Sequence, residues 1–338
     1  MRKPFTIHYR SPKASYGRGH REFLATEVPL KVRTRRKKAV RVRGKHYLGA
    51  AVLAAVLTVV VLVWMSSGAP DQPGTLVATV NLPGNGECSV GGTFDGTYYL
   101  TIQTGCISST LQIYQPPPGN GNATLVSTKT IVDSEIGSPV TLSAIAWDPS
   151  RRKFWGVLAS AVYLIDIGDP TIGGEALASF QFHPNVSGSY MIDGLAYDVG
   201  DDTLYYVPDS NLNVYHFSLG TGTNPPLGTL MNVVTPRNAA GQADGALSGV
   251  VVGLDNTLFI GRNKNSKAEI LRIHKTTGAF ISRFATMADR VGDLTCDAAS
   301  RAAQGTEAIL AKDAFNALYQ AFEVEEGTCG LRDRGDGG

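Results

Sequence analysis

The stretch DGLAYDVGDDTLYYVPDSNLNVYHF, residues 193–217, holds three short apolar runs parted by an acidic turn and a polar one. Each run has strand length and is rich in aromatic and β-branched residues. The Asp, Gly, Asn and Ser between them are turn formers. The spacing predicts a three-stranded antiparallel meander with a fourth strand at LGTLMNVV, residues 227–234. The same order recurs in units opened by CSVGGTFDG, LSAIAWDPS, SGVVVGLDN and VGDLTCDAAS. Asp95, Asp148, Asp198 and Asp297 end the first strand of four units, and Gly253, beside Asp255, holds that place in the other. The spacings are 53, 50, 55 and 44 residues. A ~40–50-residue period of four strands is the signature of a β-propeller.

One strand is left over at the start and one is missing at the end. TLVATVNLP, residues 75–83, is patterned like a fourth strand but has no unit, and the last unit stops at ALYQAFEV, residues 317–324. These two segments are expected to pair, because a blade cannot bury its faces alone and closure protects the first and last blades. The expected fold is all-β: a five-bladed β-propeller over residues 75–330, closed by an N-terminal strand and preceded by a single transmembrane helix.

Charge is segregated along the 338 residues. Residues 1–46 carry 15 Lys/Arg against Glu22 and Glu27, leaving 16 basic and 27 acidic residues downstream. Between them, residues 47–70 contain no charge. About 20 apolar helical residues cross a bilayer core, and Tyr47 and Trp64 stand where interfacial aromatics belong. The basic flank predicts a mostly disordered cytoplasmic segment at 1–46, a signal-anchor helix at 47–67, a linker at 68–74, an extracytoplasmic propeller, and a flexible tail at 331–338 that contains RGD. A cleaved signal peptide is the alternative; it would give a secreted domain. The cluster KVRTRRKKAVRVRGK, residues 31–45, is expected to meet anionic lipid headgroups. It lacks a base-reading fold and interleaved aromatics, which argues against nucleic acid.

Cys88, Cys106, Cys296 and Cys329 all lie in the exported part, an even count that suggests disulfides. Strand direction places Cys88 and Cys106 at one end of the first blade and Cys296 and Cys329 together on the last. Of the three possible pairings, Cys88–Cys106 and Cys296–Cys329 are expected.

The strings DGLAYDVGDDTLYYVPD, IHKTTGAF, VGDLTCD and YQAFEVEEGTC resemble the extracytoplasmic propellers grouped with the NHL, YVTN and SMP-30-like repeat proteins. The resemblance spans about residues 75–330. It implies a propeller whose relatives include lactonases, lyases and ligand-binding receptors, with metal-dependent members placing carboxylates on the inner strands. Here the matching strand starts offer Asp193 and Asp293, with Ser143, Val90 and Ser248 elsewhere, so that acidic set is incomplete.

Asp193 and Asp293 are the candidates for a Ca²⁺ or other divalent ion, or for acid and base, at a central channel, with Ser143 and Ser248 as further channel-lining groups. Polar residues lining a wet channel are the plainer explanation. His216 and His274 are read as exposed strand histidines, and Phe94, Trp147 and Tyr197 as blade-to-blade packing. QPPPGNGNAT, residues 115–124, is read as a disordered connection. No G-x-S-x-G elbow, zinc pair or phosphate loop appears. The sequence thus favours a recognition module for an extracellular protein, glycan or small ligand, with no catalytic set. An exported hydrolase, lactonase or lyase and a structural cell-surface component are the alternatives.

Overall fold

The computed structural model describes residues 72–86, 89–102, 107–158, 161–184, 192–220, 226–264, 267–301 and 305–330. The expected cytoplasmic segment, anchor helix and tail, together with Cys88 and Cys106, lie outside the described residues. Among those residues all regular structure is β, and no helix is long and apolar enough to cross a membrane.

The strands fall into groups. β1 (Leu76–Asn81) comes first. Then follow β2 (Gly92–Phe94), β3 (Tyr99–Ile102), β4 (Thr110–Gln115), the short β5 (Gly121–Asn122) and β6 (Thr124–Asp133). The next group is β7 (Ala144–Asp148), β8 (Lys153–Leu158), β9 (Ala161–Asp166) and β10 (Gly174–Pro184). The opening stretch forms β11 (Ile192–Asp198), β12 (Thr203–Pro208) and β13 (Val214–Ser218), with β14 (Leu227–Gly228) and β15 (Leu230–Val234) after them. The chain continues as β16 (Ala246–Gly253), β17 (Thr257–Lys264), β18 (Lys267–His274) and β19 (Phe280–Ala285), and ends with β20 (Val291–Asp297), β21 (Glu307–Asp313) and β22 (Leu318–Val324).

The recurring aspartates build the first turn of the four meanders that carry them. Asp198 Oδ1 accepts the Gly200 amide at 2.9 Å, and Asp148 Oδ1 accepts those of Ser150 and Arg151 at 2.9 and 3.0 Å. This side-chain mimicry of a backbone turn holds the next strand antiparallel. Burial then sorts the strands. β12 is buried at every residue, whereas β6 alternates along much of its length. Inner strands are therefore covered on both faces, and outer strands on one.

The first strands follow one another in a cycle: β2 packs on β7, β7 on β11, β11 on β16, β16 on β20, and β20 on β2. The approach is close enough to require glycine. A Cβ on Gly249 would stand 2.4 Å from the Asp293 Cα, and one on Gly292 would stand 2.7 Å from the Val90 carbonyl oxygen. The expected terminal pairing is present: β1 lies antiparallel on β22, from Leu76 opposite Phe322 to Asn81 opposite Leu318. The architecture is all-β and propeller-like.

Three pairings among the described residues depart from simple meanders, one of them the short parallel contact of β14 with β10 at His183–Leu227 and Pro184–Gly228. β6 and β10 run parallel, from Lys129 opposite Gly174 to Asp133 opposite Ala178, and so join two groups into one sheet. At 10 and 11 residues they are long strands, and pairing covers edge groups that would otherwise lack partners. The proline-rich connection is also built in, because its β5 pairs with β1 at Val80–Gly121 and Asn81–Asn122. This corrects its reading as a disordered link. Cys296 and Cys329 form the expected disulfide, with Cα atoms 5.3 Å apart.

Candidate functional site

At the axis the first strands turn a free backbone edge inward, and buried amides there need acceptors. Side chains of β20 and β2 supply them. Asp293 is fully buried. Its Oδ1 accepts the Leu294 amide at 2.9 Å and its Oδ2 the Gly92 amide of β2 at 3.3 Å. The Ile145 amide of β7 also holds it. Burial pushes this carboxyl well above its ordinary range, against the pull of the amides. Two residues on, Thr295 Oγ1 accepts the Phe94 amide at 3.2 Å, and Thr93 Oγ1 accepts the Trp147 amide at 3.2 Å. Asp293 and these threonines tie β20, β2 and β7 together.

Nearer the strand starts lies a charged cluster. Asp193 of β11 is fully buried. Arg290, just before β20, donates through Nη2 to Asp193 Oδ2 and to Asp209 Oδ1, the latter at 2.8 Å. Burial raises the Asp193 carboxyl to about 7; Arg290 opposes the rise and Asp209 adds to it. Asp193 Oδ1 and Ser248 Oγ have no hydrogen-bond partner among the described residues, and Ser248 is fully buried as well. Ser143, also buried, donates its hydroxyl to the Val157 carbonyl at 3.2 Å.

All four residues singled out in the sequence are therefore interior groups. Asp193 and Asp293 lie near enough for the charge of one to raise the other, whereas Ser143 is held by its own meander. A divalent ion does not fit this pair: amides occupy both Asp293 oxygens, and a guanidinium occupies Asp193 Oδ2. Among the described residues no group of three or more His, Cys, Asp or Glu gathers as a metal site. Arg290 was not anticipated. It stands 97 residues from Asp193, and nothing local marks it.

A wide opening lies where the first strands finish. A funnel of about 620 Å³ is lined by residues of all five: Phe94 of β2, Trp147 of β7, Tyr197 of β11, Val251 of β16 and Thr295 of β20 among them. The Cys296–Cys329 disulfide and Leu254 also line it. Local patterning explains the apolar wall: these are the last residues of buried first strands, just before the turn aspartates. Tyr197 does pack between groups, its ring stacked 6.5 Å from that of Trp155, and the same side chain faces the cavity. A second cavity of about 330 Å³ shares Phe94, Gly96 and Ala299 with the funnel and reaches Pro116, Pro117 and Pro118.

His216 is not the exposed strand histidine expected from its distance to the axis. It is 7% exposed, stacks on Tyr205 with centroids 4.1 Å apart, and meets the Thr203 hydroxyl at 2.7 Å. Desolvation lowers its pKa.

No family model matches the chain, and no curated protein matches its sequence. Among solved structures, glutaminyl cyclase of Myxococcus xanthus is similar at 12% identity and a TM-score of 0.46, over 74% of this chain and 100% of that one. A luciferin-regenerating enzyme is similar at 10% identity and a TM-score of 0.43, over 74% and 95%. Likenesses of this size carry no functional assignment.

Proposed function

We propose that this chain is a membrane-anchored, extracytoplasmic five-bladed propeller that recognises a small ligand in its axial funnel. The funnel's construction supports this reading: every first strand contributes to one cavity of about 620 Å³. That size lies within the ~300–1,000 Å³ of small-molecule sites, and the apolar wall with few polar groups is their usual make-up. A concave axial cavity favours a small ligand over the flat face of a protein. The uncharged segment at 47–67 would hold the domain at the outer membrane surface, with residues 31–45 against anionic headgroups. The Cys296–Cys329 disulfide suits an oxidising compartment.

The test is saturable binding of the neutral fluorescent probe N-phenyl-1-naphthylamine to the full-length chain in nanodiscs, after subtraction of empty discs. Leu254, 52% exposed at the rim, provides the variant. Leu254→Arg is expected to weaken binding about tenfold. Absence of saturable binding, or binding indifferent to Leu254→Arg, overturns the funnel as the site.

One observation favours a second reading, an exported hydrolase or lyase. The carboxyl of Asp193, raised to about 7, lies in the range where a general acid or base works best near neutral pH. Turnover of an ester or lactone panel that is abolished in Asp193→Asn, with unchanged probe binding, would establish it. A panel with no Asp193-dependent turnover removes it.

A further inference from the structure

Four of the five turn positions at the ends of the first strands have neutralised or satisfied their carboxylates. Asp148 holds Arg151 at 2.7 Å, Asp198 holds Lys275 at 2.7 Å, Asp297 holds the Ser300 hydroxyl, and Asp255 holds Arg272. Asp95 differs. Its Oδ1 accepts only the Thr97 and Tyr98 amides, at 2.8 and 2.7 Å, and no cation faces it among the described residues. It is also the one charged side chain among the described residues that line the funnel, whose wall includes Phe94, Trp147 and Tyr197. Burial already raises its pKa.

We propose that the funnel selects small organic cations, with Asp95 as counter-charge and the aromatic walls of Phe94, Trp147 and Tyr197 holding the apolar body. This rests on the funnel being the binding site. Asp95 is partly buried in a mainly apolar wall, where a carboxylate has lost part of its hydration, and an incoming cation would supply it a partner. Aromatic faces attract cations through their quadrupole, Trp most strongly. The Tyr197 ring already accepts such a contact: the Arg151 guanidinium lies 5.9 Å from its centroid. Arg151 is itself held by Asp148 and Asp202 and is not part of the funnel wall, so it does not neutralise Asp95. No Lys, Arg or His among the described lining residues would receive an anion.

The experiment compares two ligands of one shape. Benzyltrimethylammonium and its uncharged carbon isostere, neopentylbenzene, are titrated calorimetrically into the full-length chain in phosphatidylcholine nanodiscs, with empty discs subtracted. The expected result is about tenfold tighter binding of the cation, shrinking as salt is raised. In Asp95→Asn that preference is lost while the isostere binds as before, because Asn keeps an oxygen for the two turn amides. Equal affinity of the two ligands for the unmutated chain overturns cation selection and leaves the funnel standing as an apolar site. A preference that survives in a folded Asp95→Asn overturns the role of Asp95. Failure of both ligands to bind overturns the funnel itself. Should Asp95→Asn not fold, the comparison in the unmutated chain and its salt dependence still decide the matter.

Discussion

Lys312 lies fully buried on β21, where its ammonium donates to the carbonyls of Asp313 at 2.8 Å and Asn316 at 3.3 Å. Desolvation brings its pKa down from 10.5 to about 7. Between those values the unfolded chain binds a proton that the folded one releases, so the contribution of Lys312 to stability grows as pH rises from about 7 to 10.5. Lys312→Met should flatten this rise, as read from urea unfolding at pH 7, 8.5 and 10. Asp193 has the opposite sign. Burial lifts its folded pKa from the ordinary 3.8 to about 7, so between those values the folded state holds a proton that the unfolded state has lost. Its contribution is full at the acidic end and declines as pH climbs through that interval. Asp193→Asn should reduce the decline, with Asp293 supplying the remainder; an unchanged slope would show that Asp193 is ionised throughout. Neither burial was legible locally. EAILAKD forms the next-to-last strand, and nothing within a few residues of Lys312 marks it as an interior group.

At the scale of elements, the strands and turns were legible because their causes are local. The aspartate that ends a first strand captures amides two or three residues on, and that geometry is written within a few positions. The leftover strand could be placed by elimination, and β1 does pair with β22. The Cys296–Cys329 pair followed from strand direction alone. It closes a loop over a separation of 33 residues, for which chain entropy gives about 3–4 kcal/mol. The Cys296→Ser/Cys329→Ser double variant should therefore unfold at lower denaturant by roughly that free energy; a loss below ~1 kcal/mol would mean that β20 and β22 already restrain the segment. The parallel contact of β6 with β10 was not legible, because no turn joins the two edges and only their juxtaposition creates the need to pair.

For the whole molecule, the decisive property is the cyclic succession of first strands. Gly249 tests it, since backbone rather than a flexible side chain would meet its Cβ. Gly249→Ala should cost about 3 kcal/mol through overpacking that cannot relax without opening the ring, measurable as a lowered Tm and faster amide exchange in β16 and β20. A shift within ~0.5 kcal/mol would mean that the backbone at the centre relaxes to admit a methyl group. The sequence by itself determined the meanders, their turns and the partner of the leftover strand. Those depend on periodicity and turn chemistry, which act between neighbours. Only the tertiary structure decided that Asp193 and Asp293 are interior groups, that threonines and a carboxyl bridge the first strands, and that among the described residues Asp95 alone of the turn aspartates lines the apolar funnel without a counter-ion. Desolvation and long-range pairing belong to how five sheet edges converge, and no residue's immediate neighbours in the chain encode that.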